Sequence, residues 1–509
     1  MNKKKSPQEH IGYLIRTIRE REGLTQVEFA KMLETSQSAV ARMEKGDQNF
    51  TTKELDRIGE TLGQRLVSLA PRTDDFEING GIKLSGTVTT HYSKNGALAL
   101  MAASLLNKKP TTLFGVPRIE EVFRLIEVFE SIDIRVIWLD DHTLKITPPD
   151  VFAIEKIDEA IAGGIRVNLY LIPPLAHRMK EFRLPNPGGC KMGERTISAH
   201  KYALEKLGIK IKSEAKHYKV TTEKLKPADI TMYEASDMGV INALMAAALI
   251  PNGKTIIRFA PPNYQVQDVC FFLEHLGVKI EGIGTTTLTV HGINEIDQET
   301  IWYNSEDPIE TMFFIAATAV TNGNVTIKRC PIDFLRLELL KLEKMGLKFT
   351  TSKIYKGENG RVDLVDIVIK ESVLKALPDK IHALPYPGIN NDNLPFFVPI
   401  ATQAVGTTLV HDWTWENRAI YFTEINRLGA KVLLADPHRV YIEGKTELKG
   451  AQIVCPPALR PATIILIAML AAEGKSILRN VYAINRGYEN LIERLNDLGA
   501  NVRQIKNLD

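Results

Sequence analysis

Cys190 lies in the stretch Arg183-Leu184-Pro185-Asn186-Pro187-Gly188-Gly189-Cys190-Lys191-Met192-Gly193-Glu194-Arg195. The glycines let a backbone approach a ligand closely. Lys191 and Arg195 are placed to lower a thiol pKa and to attract an anion. The loop therefore reads as a device that brings a titratable sulfur up to a negatively charged molecule. Cys270 and Cys330 stand in apolar or strand-like surroundings and read as buried structural thiols. With no CxxC pair anywhere, the chain suggests neither a disulfide scaffold nor a zinc site. His177, His200 and His382 show no ligand spacing and read as structural or exposed.

A loop of this kind needs a scaffold, and the chain is long enough for more than one. Its 509 residues exceed a single ordinary core, so two or more domains are expected. A formal charge of +3 excludes a strongly basic nucleic-acid coat but leaves room for a small DNA-binding face. The basic start Met1-Asn2-Lys3-Lys4-Lys5 is not followed by an apolar segment, and no run is long enough for a membrane span. A cytoplasmic location with no membrane partner is expected.

Residues 1–70 read as an all-α unit. Ile11, Leu14, Ile15 and Ile18 recur at helical spacing. Thr25 with Glu28 predicts a capping box, and Thr35-Ser36 caps a helix from Gln37 to Lys45 that Gly46 stops. Ile58, Leu62 and Leu66 supply a further amphipathic helix. Pro71-Arg72-Thr73-Asp74-Asp75 is a polar break, so 71–80 is expected to be a linker.

From residue 81 to 509 the pattern becomes α/β and repeats. An apolar, Ala-rich helix leads to a turn and a strand, then to a helix ending in Leu-Gly before an apolar strand. The endings are Leu207-Gly208, Leu276-Gly277, Met345-Gly346, Leu428-Gly429 and Leu498-Gly499, with a weaker copy at Ile134-Arg135-Val136. Six copies at roughly 70–80 residue spacing predict two globular halves with a ligand cleft between them. The halves are expected over 94–305 and over 81–93 plus 306–509.

Two resemblances follow from these motifs. The segment Thr25-Gln26 to Phe29-Ala30, a turn, then Ser36 to Gly46 resembles the Cro/C1 repressor-type helix-turn-helix family. That resemblance implies DNA as a partner of residues 1–70, through Gln26, Gln37, Ser38 and Arg42. A protein-contact module, or one that makes a homodimer, is the alternative.

The six repeats, Lys94-Asn95 and the Pro187-Gly188-Gly189-Cys190 loop resemble the enolpyruvyl transferases, above all those that act on UDP-N-acetylglucosamine. The resemblance implies two inside-out α/β barrels of three repeats each, around buried helices. It implies transfer of enolpyruvate from phosphoenolpyruvate (PEP) to the 3-hydroxyl of UDP-N-acetylglucosamine, with release of phosphate, no metal and no cofactor. This is the first step of peptidoglycan precursor synthesis. It places Lys94, Asn95, Arg195, Arg460 and Arg486 on PEP, and Arg166, Asp392 and Thr414 on the sugar nucleotide. Cys190 becomes proton donor to the PEP methylene and Asp392 the base for the acceptor hydroxyl, with Lys94 a third catalytic residue. PEP carries a phosphate and a carboxylate, which such a cluster of cations can neutralise.

Several positions depart from the family's pattern: Ser198 and Ala458 where it has aspartates, Asn390-Asn391 before Asp392, Ala235 for a lysine and Asp237 for a serine. An acid at 237 would repel a diphosphate. Two other readings therefore stand beside the first: a regulator whose transferase part senses a ligand, and a transferase with another acceptor.

Overall fold

The computed structural model describes residues 7–21, 24–48, 50, 52–61, 74–188 and 196–506. They form two compact units, divided at Thr73 and Asp74.

The N-terminal unit has helices Pro7–Arg21, Gln26–Met32, Gln37–Lys45 and Thr52–Thr61. Thr25 makes the expected capping box with Glu28, Ser36 accepts from the Ala39 amide, and Gly46 ends the third helix in the left-handed region at φ 74°. Ile15, Ile18, Phe29, Leu33, Val40, Leu55 and Ile58 form its core. Leu62 and Leu66, expected in the last helix, lie outside the described residues.

The second unit is α/β, with six sheets, one for each repeat. Five contain a parallel strand pair, for example Thr300–Tyr303 with Thr111–Phe114 and Ser85–Thr89 with Asn324–Pro331. The sheet of Glu181–Pro185, His217–Thr222 and Ile209–Ser213 is wholly antiparallel. The sheets surround helices apolar on every side, as a helix must be when nothing but protein touches it. Pro308–Val320 is buried at all positions, and Leu459–Ala471 and Asp237–Ala248 at nearly all. Two cores result. One is built from residues of 97–302, the other mainly from residues beyond 309 together with Phe76, Ile78, Leu84 and Val88. Among the described residues no helix is long and apolar enough to cross a membrane.

Part of the linker expected over 71–80 is regular structure instead. Asp74–Gly80 is a strand, paired antiparallel with Gly474–Arg479. Phe76 and Ile78 alternate into the core with 1% and 0% exposure, a period of two that the preceding Asp74-Asp75 concealed. The chain crosses between the two cores twice, side by side. Tyr92 bridges Glu306, Ser93 N donates to Ser305 O at 2.7 Å, and Asn304 Nδ2 donates to Ser93 O at 2.8 Å.

Candidate active site

Four buried helices carry functional residues at their N-terminal ends. Lys94 opens Lys94–Ala103, capped by Ser93, whose Oγ accepts from Gly96 N at 2.9 Å. Asp307 caps Pro308–Val320, and Arg460 is the second residue of Leu459–Ala471. Asp237 opens Asp237–Ala248. A helix N-terminus favours anions, and a cation standing there strengthens that preference. Lys94, Asp307, Glu310, Arg460, Tyr488 and Glu489 line one cavity.

Arg460 is 8% exposed. It donates to Tyr488 Oη at 2.9 Å and to Asp392 Oδ2 at 3.3 Å. Burial pushes the Asp392 carboxyl up, but Arg460, Arg418 and Lys94 together outweigh it and hold it below its ordinary range. The loop before Asp392 is firmly held: Asp392 N donates to Asn390 Oδ1 at 2.9 Å, and Asn393 Nδ2 donates to Glu338 at 3.0 Å. Thr414 donates to Asn391 Oδ1 at 2.9 Å, which puts it beside the same loop. Burial raises Asp307 to about 6 against the pull of Arg460.

Lys94 Nζ lies 2.5 Å from Glu121 Oε2, and Arg486 Nε lies 3.8 Å from Glu121 Oε1. Glu121 thus draws two cations of the expected PEP set together. Burial raises its carboxyl, and Lys94, Arg486 and Arg460 more than reverse that. Gly487 lies close against Leu459, whose Cδ2 would stand 2.3 Å from a Cβ at that position. Asn95 Nδ2 donates to the buried Tyr264 hydroxyl at 2.9 Å.

Lys94, Asn95, Asp392, Arg460 and Arg486 are therefore drawn into one region, with Thr414 beside it. Arg166 holds the Thr196 carbonyl at 2.9 Å, immediately beyond 189–195. Cys190 and Arg195 lie outside the described residues. Arg418 does not contact Asp392 directly. It is fully buried and donates to Asp412 at 2.8 Å, so it acts on Asp392 through its charge. Glu121, Asp307 and Asp412 were missed. Glu121 looks in sequence like a first-turn acid, and only the fold shows its cationic partners. Trp413 is 45% exposed.

In the N-terminal unit Gln37, Ser38 and Arg42 are exposed on the third helix. Gln26 is half-buried and donates to Glu44 Oε2 at 2.8 Å. Glu44 is also paired with the buried Arg19 at 2.5 Å. Gln26 is thus engaged with an ion pair of its own unit.

Helices buried inside six sheets, with cations gathered at helix N-termini, define the class. The profile of EPSP synthase (3-phosphoshikimate 1-carboxyvinyltransferase) matches residues 78–495, and a helix-turn-helix profile matches residues 15–69. The chain belongs to the EPSP synthase family of enolpyruvyl transferases and carries an N-terminal helix-turn-helix domain. Its relatives include the UDP-N-acetylglucosamine 1-carboxyvinyltransferases of Bradyrhizobium diazoefficiens and Treponema denticola. Each is 33% identical, and the match covers 84% of this chain and 98% of that relative. Among solved structures, the enolpyruvyl transferase NikO from Streptomyces tendae superposes with a TM-score of 0.72 at 24% identity, over 86% of this chain and 100% of that one. An EPSP synthase from Acinetobacter baumannii gives 0.66 at 17%, over 85% and 100%. These two similarities speak for the fold.

Proposed function

We propose that residues 81–509 transfer enolpyruvate from PEP to the 3-hydroxyl of UDP-N-acetylglucosamine, releasing phosphate, and that residues 1–70 bind DNA. The observation that carries the first reading is the meeting, from remote parts of the chain, of Lys94 and Arg486 at Glu121 and of Arg460 with Asp392, with Lys94 and Arg460 lining one cavity. In this reading Lys94, Asn95, Arg195, Arg460 and Arg486 hold the phosphate and carboxylate of PEP. Arg166 and Thr414 contact the sugar nucleotide. Asp392, kept ionised, takes the proton of the acceptor hydroxyl, and that oxygen bonds to C2 of PEP. Cys190 gives its proton to C3. The tetrahedral adduct then loses phosphate from C2 and a proton from C3, leaving the enol ether.

Phosphate release from PEP and UDP-N-acetylglucosamine tests the proposal. Turnover that is abolished or greatly slowed in Cys190→Ser supports it. No release at any enzyme concentration overturns it. The helix-turn-helix domain favours a second reading, a regulator whose transferase part senses PEP or a sugar nucleotide. Ligand-dependent, salt-sensitive DNA binding without turnover is its signature.

A further inference from the structure

Asp237 stands apart from the cation-rich half of the site. Its Oδ2 accepts from Asn263 Nδ2 at 2.9 Å and from Gln265 Nε2 at 2.7 Å. Asn263 and Gln265 are 6% and 8% exposed, so both amides are fixed in place. Gln265 Oε1 is buried without a partner, an acceptor still in want of a donor. The charged group that acts on Asp237 is Asp392, a second acid, and no lysine or arginine among the described residues offsets it. The buried Tyr170 hydroxyl lies within its electrostatic reach. Ala235 brings no charge. This corner therefore offers carboxyl and amide oxygens to a ligand, beside the residue proposed to deprotonate the acceptor.

We propose that Asp237, held by Asn263 and Gln265, determines acceptor specificity by receiving an uncharged, hydrogen-bond-donating part of the acceptor and disfavouring a phosphoryl group there. The inference rests on the transferase reading. The physical reason is that a half-buried acid, held by two buried amides and facing phosphoryl oxygens, sets like charges together where water screens them less than in bulk. A ligand with two donors, such as neighbouring hydroxyl and amide N–H groups, placed there instead satisfies both the free carboxyl oxygen and Gln265 Oε1. Burial raises the Asp237 carboxyl to about 7, in keeping with the absence of a cation. Asp237 is thus a specificity residue, separate from the groups that handle PEP.

The test uses the full chain as wild type, Asp237→Asn and Asp237→Ser, with thermal melts to show that each variant folds. Calorimetry measures Kd for UDP-N-acetylglucosamine and for N-acetylglucosamine, its phosphate-free counterpart, at pH 8. Phosphate release gives KM for PEP. The expected result is a roughly tenfold lower Kd for UDP-N-acetylglucosamine in both folded variants, about 1.4 kcal/mol. N-acetylglucosamine should bind no better, and KM for PEP should stay unchanged. Equal or weaker binding of UDP-N-acetylglucosamine in both folded variants overturns the proposal, as does an equal gain for N-acetylglucosamine. Should wild type release no phosphate with either acceptor, the transferase reading fails, while the two Kd values still decide the role of Asp237.

Discussion

Asp392 and Arg460, 68 residues apart in the chain, meet at 3.3 Å, and the charge of Lys94 reaches the same carboxyl. This pairing holds the Asp392 carboxyl below its ordinary range against the opposing effect of burial. Asp392→Asn is expected to lower phosphate release by about 10²–10⁴-fold, the usual range for a lost general base. Arg460→Gln removes the largest charge that holds the Asp392 pKa down. The acid limb of the kcat/KM profile should then move to higher pH, because Asp392 becomes protonated earlier as pH falls. An unmoved limb would show that Asp392 is not the group being read.

Glu121 joins Lys94 and Arg486, and so ties together cations from opposite ends of the α/β unit's sequence. Glu121→Gln keeps the shape and removes the charge that aligns both cations. KM for PEP is expected to rise about tenfold, with kcat less affected, as a loss of positioning predicts. A fall in kcat with KM unchanged would instead place Glu121 in the chemistry.

Much of this was legible in sequence because local rules decided it. Thr25 with Glu28, Ser36 and Gly46 are read from neighbours three residues away or fewer, and the structure uses each one as expected. The six repeats were legible because the Leu-Gly endings recur where a helix must stop before a strand. Glu121 and Asp412 were not legible, since their partners come from the fold or sit in an unremarkable run of residues. The bond of Gln26 to Glu44 was hidden for a related reason: Glu44 is one helix away, and sequence periodicity does not show which side chains a buried acid recruits. The strand Asp74–Gly80 was hidden because its own sheet forms only when the distant segment Gly474–Arg479 arrives.

Asp268 is 2% exposed, accepts from Ser305 Oγ, and has Oδ2 buried without a partner. A Cβ at Gly96 would come within 2.8 Å of that oxygen and 2.6 Å of Asn304 Oδ1, which is also unpartnered. Burial raises the Asp268 carboxyl to about 7. The folded protein therefore retains a proton that the unfolded chain releases above about pH 4. Stability contributed by this site falls as pH rises from about 4 to about 7. Asp268→Asn should raise the denaturant midpoint at pH 8 and flatten its pH dependence over that window. Gly96→Ala should destabilise by about 1–3 kcal/mol through overpacking. A steeper pH dependence in Asp268→Asn would contradict the assignment.

In the N-terminal unit, Gln37 and Arg42 are exposed while Gln26 is engaged with the Arg19–Glu44 pair. Two kinds of variant should therefore separate cleanly. Gln37→Ala and Arg42→Ala are expected to weaken DNA binding by about 1–3 kcal/mol each if they read bases, with no change in thermal stability. Arg42→Ala should also reduce the salt dependence of binding if it contacts phosphate. Arg19→Met leaves Glu44 buried without its cation, which costs about 3–5 kcal/mol, so the domain should lose its own melting transition at a lower temperature. Gln26→Ala should act in the same direction but by about 1 kcal/mol, the net value of one hydrogen bond. Binding titrations across a salt series, read beside the melts, decide between the two roles. Loss of DNA binding in Gln26→Ala with an unshifted melt would place Gln26 on the DNA-contacting face.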